Sequence, residues 1–233
     1  MSLYGKYALG ILFTFVLLAA VMLYALPLIY LITGIKGITS VNFFYTRIVL
    51  WMVLFFVFLY NFFVEKNPFL LQKEKNYTVS FYTKSVIRLY FTCLIGTSVI
   101  GIIIQLLTQE GMSSKMVQIS SAFKNNYLLM IFICLTAGVV EELLMRGYIQ
   151  PRIERIYNNQ YCGIFISALL FGILHSTYGT IGQVVVPFFI GTVFAMFYKQ
   201  YSNIKILIIC HFMYDFVSVM IMNLIDTKHL SVL

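Results

Sequence analysis

Residues 137–147 read AGVVEELLMRG, and they set three charged side chains, Glu141, Glu142 and Arg146, near the end of an apolar run. Charge at membrane depth is costly enough that it usually marks function. On a helix Glu142 and Arg146 stand four residues apart and share a face, with the acid on the N-terminal side, the better orientation for an ion pair. Glu141 points about 100° away. Two carboxylates and one cation predict a division of labour in which one acid is paired and structural and the other is left free for chemistry. A purely structural network of all three explains this stretch alone equally well.

Working outward, the composition says that the run lies in a bilayer. The chain of 233 residues is 61% hydrophobic and 10% charged, with 22 Phe and 17 Tyr. That balance excludes an ordinary soluble domain and fits helices in lipid with aromatic belts. Apolar runs end near residue 31 and then cover about 43–64, 86–107, 127–150, 162–175, 184–198 and 204–225. The expected architecture is an all-α polytopic bundle of seven or eight spans enclosing a polar cavity. Two runs are short for a bilayer of ~30 Å and must extend into their loops or be shielded by neighbours. Pro27 is expected to bend or fray the first span, and Arg47 is the single charge in the second. Residues 65–84 read as a solvated loop partly at the headgroups, and 108–126 as a polar separator. Pro151 is expected to end or bend the fourth span, because proline lacks the amide donor and disfavours helical geometry before it. A turn of interfacial helix would follow.

The net charge of +8 does not point to nucleic acid, because the basic residues sit in short loops between apolar runs. Most of them fall at the N-terminus and after the second, fourth and sixth spans, so the positive-inside rule places the N-terminus in the cytoplasm and the C-terminus outside. The first apolar run is too long for a secretory signal and lacks a clear cleavage site, so it reads as a retained span. Cys93, Cys134, Cys162 and Cys210 lie in or beside apolar runs without paired spacing, as free thiols packed like small hydrophobes. Residues 1–233 read as one membrane domain, with motif-free spans over 1–120 and a motif-bearing core over 121–225.

Two further polar intrusions have helical spacing. FGILH places Phe171 and His175 one turn apart, and HFMYD does the same for His211 and Asp215. The remaining histidine, His229, is in the tail. A lone histidine in an apolar span is more often a packing residue than a catalyst, but three helices each bringing ionisable groups predict one shared polar site. Measured from span ends, Glu141 lies about 13 Å deep from Pro151, His211 about 10 Å and His175 about 20 Å, so the helix of His175 must tilt or start outside the bilayer core. Such a site admits two chemistries. A carboxylate can take a proton from water while a histidine positions that water or stabilises an oxyanion. Alternatively Glu141, His175 and His211 form a His₂Glu zinc set with an open position. No serine elbow supports covalent hydrolysis, and no HExxH helix supports the usual zinc arrangement.

EELLMR resembles the EExxxR motif, FGILH the FxxxH motif and HFMYD the HxxxN/D motif of the CAAX protease and bacteriocin-processing (CPBP, or Abi) family of intramembrane endopeptidases. The three occur in the family's order and cover about a third of the chain. The resemblance implies a multi-span helical fold with a conical cavity open to one membrane face. It implies Glu141 as general base, His175 as holder of the attacking water, Glu142 with Arg146 as support together with Phe171, and His211 with Asp215 as the oxyanion side. The family carries both metalloprotease and metal-independent, glutamate-based descriptions. A metal-free route is favoured here, with zinc on Glu141, His175 and His211 as the alternative. Asp215 stands where prenyl-protein proteases have Asn, which weakens a specifically prenylated substrate.

The expected protein is therefore an integral protein of a bacterial cell membrane that cleaves a membrane-associated peptide or protein. The main alternative is a non-catalytic relative acting in bacteriocin immunity or as a scaffold. A proton-coupled transporter ranks last, because the interrupted helices and repeats of such proteins are absent from the sequence.

Overall fold

The computed structural model describes residues 1–111 and 113–224; His229 and the last residue of the seventh expected span lie outside them. Among the described residues, seven helices are long and apolar enough to cross a membrane: α1 (Leu3–Thr33), α2 (Ser40–Glu65), α3 (Val79–Thr108), α5 (Tyr127–Tyr157), α6 (Gln160–Tyr178), α7 (Gly182–Tyr201) and α8 (Ile204–Leu224). A short helix, α4 (Ser114–Ala122), precedes α5 within the stretch expected to be only a polar separator. No strand occurs among the described residues. The two short spans reach bilayer length by absorbing their flanking polar residues.

The spans differ sharply in burial. In α5, 61% of the most apolar window is enclosed by protein, against 33% or less in every other span, so α5 is the axis of the bundle. Leu144, Met145, Tyr148 and Ile149 pack against Leu18 of α1, Val57 of α2 and Phe171 of α6. A second cluster joins Leu89 of α3, Phe194 of α7 and Leu207 of α8. The outer face of α3 remains apolar and exposed at Ile95, Ile102 and Leu106, as a lipid-facing surface requires.

Three expectations are refined here. Pro151 does not end α5: the helix runs on to Tyr157, and the turns before it, Leu143–Ile149, are widened to π-helix. A widened turn provides room where the proline ring would otherwise press on the carbonyl one turn back. Pro27 likewise lies inside a helix that continues to Thr33. The third concerns residues 65–84, whose four lysines are exposed as expected while other polar groups there are tied into the bundle. Glu65 is 3% exposed and closes α2, where both its oxygens accept from Arg152, itself fully buried in the part of α5 expected to be an interfacial turn. Asn61 and the backbone of Phe69 and Tyr148 accept the guanidinium's other bonds. Tyr148 donates to Glu65 at 2.6 Å. Further along, Glu74 accepts from the Ile204 amide at 2.7 Å and caps α8, and the Tyr77 hydroxyl donates to the Tyr201 carbonyl at 2.7 Å. The segment is polar because it pins α2, α7 and α8 together, which a composition reading takes for solvation.

Candidate active site

The helices meet closely at small residues. A β-carbon on Gly138 would stand 2.9 Å from the Ile208 carbonyl oxygen, so only glycine lets α5 and α8 approach this far. Gly172 allows the same contact of α6 with α7, where a β-carbon would lie 2.9 Å from the Val184 oxygen. These contacts carry Glu141 and Glu142, three and four residues past Gly138, onto the turn of α8 that bears His211.

Glu142 is the hub. Its Oε1 accepts from Arg146 Nη1 at 2.8 Å and from His211 Nδ1 at 2.7 Å, and its side chain is completely buried. The Arg146 guanidinium lies over the Phe171 ring at 4.7 Å and the Phe194 ring at 5.5 Å. Burying this acid and cation is tolerable only because each has the other, and the aromatic faces replace part of the lost hydration. Glu142 Oε2 and Arg146 Nη2 have no hydrogen-bond partner among the described residues.

Because Nδ1 of His211 donates to Glu142, the ring presents Nε2 to the cavity. Nε2 stands 3.5 Å from Asp215 Oδ2 and 3.9 Å from Glu141 Oε2. His175 arrives from the far end of α6. Its Nδ1 donates to the Phe171 carbonyl at 2.8 Å, which leaves Nε2 with a lone pair, and its ring meets the Phe171 ring edge-on at 4.6 Å. Phe171 thus touches both Arg146 and His175. Glu141, Phe171, His175, His211 and Asp215 all line one cavity of about 330 Å³.

The depth mismatch expected for His175 disappears because α5 does not stop at Pro151. From the turn at 158–159, Glu141 and His175 each lie about 23 Å along their helices, at 1.5 Å per residue, so the antiparallel pair brings them level. Among the described residues, no three His, Cys, Asp or Glu side chains converge in a metal-holding arrangement.

Several cavity residues carry no motif. Phe43 and Arg47 come from α2, Met116 and Ile119 from α4, Tyr178 from the end of α6 and Tyr214 from α8. For Arg47 the signal was available: a single charge in an apolar run, one turn from an aromatic. For α4 it was not, since its side of the cavity is set by distant contacts. Lys115 donates to the Thr177 carbonyl at 3.1 Å, Ser113 donates to the Tyr178 carbonyl, and Glu110 accepts from the Ile181 amide at 3.0 Å. Partial burial of Lys115 lowers its ammonium pKa. These three bonds fix the turn that follows His175.

Residues 123–217, less than half of the chain, match the family model described as Type II CAAX prenyl endopeptidase Rce1-like. That segment contains all three motifs and every charged residue of the site except Arg47. No curated protein and no solved structure matches the chain.

Proposed function

We propose that this chain, whose residues 123–217 carry the Rce1-like signature of the CAAX protease and bacteriocin-processing group, is an intramembrane endopeptidase that hydrolyses a peptide bond of a membrane-associated peptide or protein. The observation that carries the reading is the meeting of Glu141, His175, His211 and Asp215, from three helices, on one cavity. Glu141 takes a proton from water, and the Nε2 lone pair of His175 orients that water toward the scissile carbonyl carbon. The oxyanion formed by attack accepts a hydrogen bond from Nε2–H of His211 in its imidazolium form, flanked by the Glu142 and Asp215 carboxylates. Glu142 fixes the ring from behind through Nδ1. The proton on Glu141 then passes to the amide nitrogen, the C–N bond breaks, and an acid and an amine leave. No step of this route needs a metal. Asp215 in the position of Asn bears on the substrate: it favours a peptide whose prenylation is not required. The surrounding membrane is taken as that of a bacterial cell.

The test compares membrane proteomes of cells producing the unaltered protein and Glu141→Ala. A peptide cut only by the unaltered protein establishes both activity and substrate. An identical peptide inventory, with immunity or assembly phenotypes retained by Glu141→Ala, would establish the non-catalytic binding role instead. Activity found this way should survive exhaustive chelation, with purified protein holding far less than one zinc per chain. Loss on chelation and restoration by zinc would overturn the metal-independent step.

A further inference from the structure

Three arginines are buried within the spans, and they are treated differently by their surroundings. Arg152 spends Nε and both amino groups on Glu65, Asn61 and two backbone carbonyls. Arg146 pairs with Glu142 between two aromatic rings. Arg47 is 9% exposed, yet only its Nε is engaged, with the hydroxyl of its neighbour Thr46 at 3.2 Å. Among the described residues both of its terminal amino groups lack an acceptor and it has no carboxylate within ion-pair distance. Its guanidinium rests over the Phe43 ring at 4.7 Å, which orients it without neutralising it. It lines the same cavity as Glu141 and Asp215.

A guanidinium this enclosed, with no anion beside it among the described residues, leaves an anion-binding fork open to the cavity. The planar fork is matched to a carboxylate, which it binds in bidentate fashion. Phe43 and Arg47 are one turn apart on α2, and both line the cavity.

We infer that Arg47 is a substrate-binding residue that takes a carboxylate of the peptide and thereby sets which bond lies against Glu141. The inference rests on the peptidase reading of the cavity. A peptide offers this group in two forms, the C-terminal α-carboxylate and an acidic side chain, and either satisfies the fork. The role belongs to the motif-free spans: α2 supplies specificity while α5, α6 and α8 supply chemistry.

The test measures binding, so that it stands apart from hydrolysis. Full-length Glu141→Gln protein in nanodiscs is titrated with N-acylated Leu/Phe tetrapeptides that end either in a free acid or in a carboxamide. A third probe ends in carboxamide and bears one internal Asp. Acid-bearing probes should bind roughly tenfold or more tightly than the plain carboxamide. Arg47→Gln in the same background should abolish that gap without weakening the carboxamide, and Arg47→Lys should retain part of it. Which acid carries the gap identifies the source of the carboxylate. Equal binding of acids and amide to the Arg47-containing protein overturns the inference before any substitution at Arg47 is needed. Equal weakening of all probes by Arg47→Gln also overturns it, since Arg47 would then act as a counter-charge for the site's own acids. Failure of the peptidase reading appears separately, as absence of cleavage by the unaltered protein in the proteome comparison.

Discussion

Adjacent glutamates in one motif have opposite burdens. Glu142 is wholly buried and answers to both Arg146 and His211, whereas the Glu141 side chain is 20% exposed and has no hydrogen-bonded partner among the described residues. Removing Glu142 strands a buried guanidinium and a ring N–H together. Glu142→Ala should therefore cost about 3–5 kcal/mol, seen as an early thermal transition in detergent. Glu141→Gln keeps shape and hydrogen bonding and should shift stability by no more than about 0.5 kcal/mol, while turnover falls ~10²–10⁴-fold. Equal melting of the two variants would contradict this assignment of roles.

At the scale of elements, the site depends on how closely α5 and α8 lie. Gly138→Ala pushes a methyl against the Ile208 carbonyl and must separate the two helices or bend one of them. A loss of about 1–3 kcal/mol is expected, with a fall in turnover because Glu141 and Glu142 move away from His211. Gly101 on α3 is the control: a β-carbon there meets nothing within 4 Å, so Gly101→Ala should be neutral or stabilise by up to ~1 kcal/mol. Matching melts and turnover for Gly138→Ala and the unaltered protein would mean that the close approach is incidental. The widened turns of α5 belong to this scale too, since they lie between Gly138 and Pro151, in the stretch that carries all three charges.

For the molecule as a whole, every span reverses the last, and the cavity is built at one end of the bundle. Its walls are the start of α2, α4, the end of α6 with Tyr178, the start of α7 with Gln183 and the end of α8 with Met222. These segments all lie on the side opposite the N-terminus. If the N-terminus is cytoplasmic, as the loop charges favour, the mouth faces outward and the substrate is reached from outside the cell. Alkaline phosphatase fused after Thr33 should then be active, and after Asn159 inactive. The reverse pattern would turn the mouth to the cytoplasm.

The sequence by itself determined that there are seven or eight spans, the all-helical class and the identity of the polar intrusions. Those follow from hydropathy and from the 3.6-residue period, which are local properties. The same period made the one-turn contact of Glu142 with Arg146 legible. What it missed has a common cause. Glu65 and Arg152 look solvated because each is charged and lies at a span's end, and only their meeting across 87 positions shows that they neutralise one another inside the bundle. Pro151 reads as a stop or a bend because the local rule is sound for a regular helix, but the widened turns before it change the geometry to which the rule applies. The linking of Glu142 to His211, the levelling of His175 with Glu141 and the closing of the cavity by α4 and Arg47 were decided by tertiary packing. They depend on which helices touch and at what height, and that is fixed by small residues and long-range polar bonds rather than by any single stretch of chain.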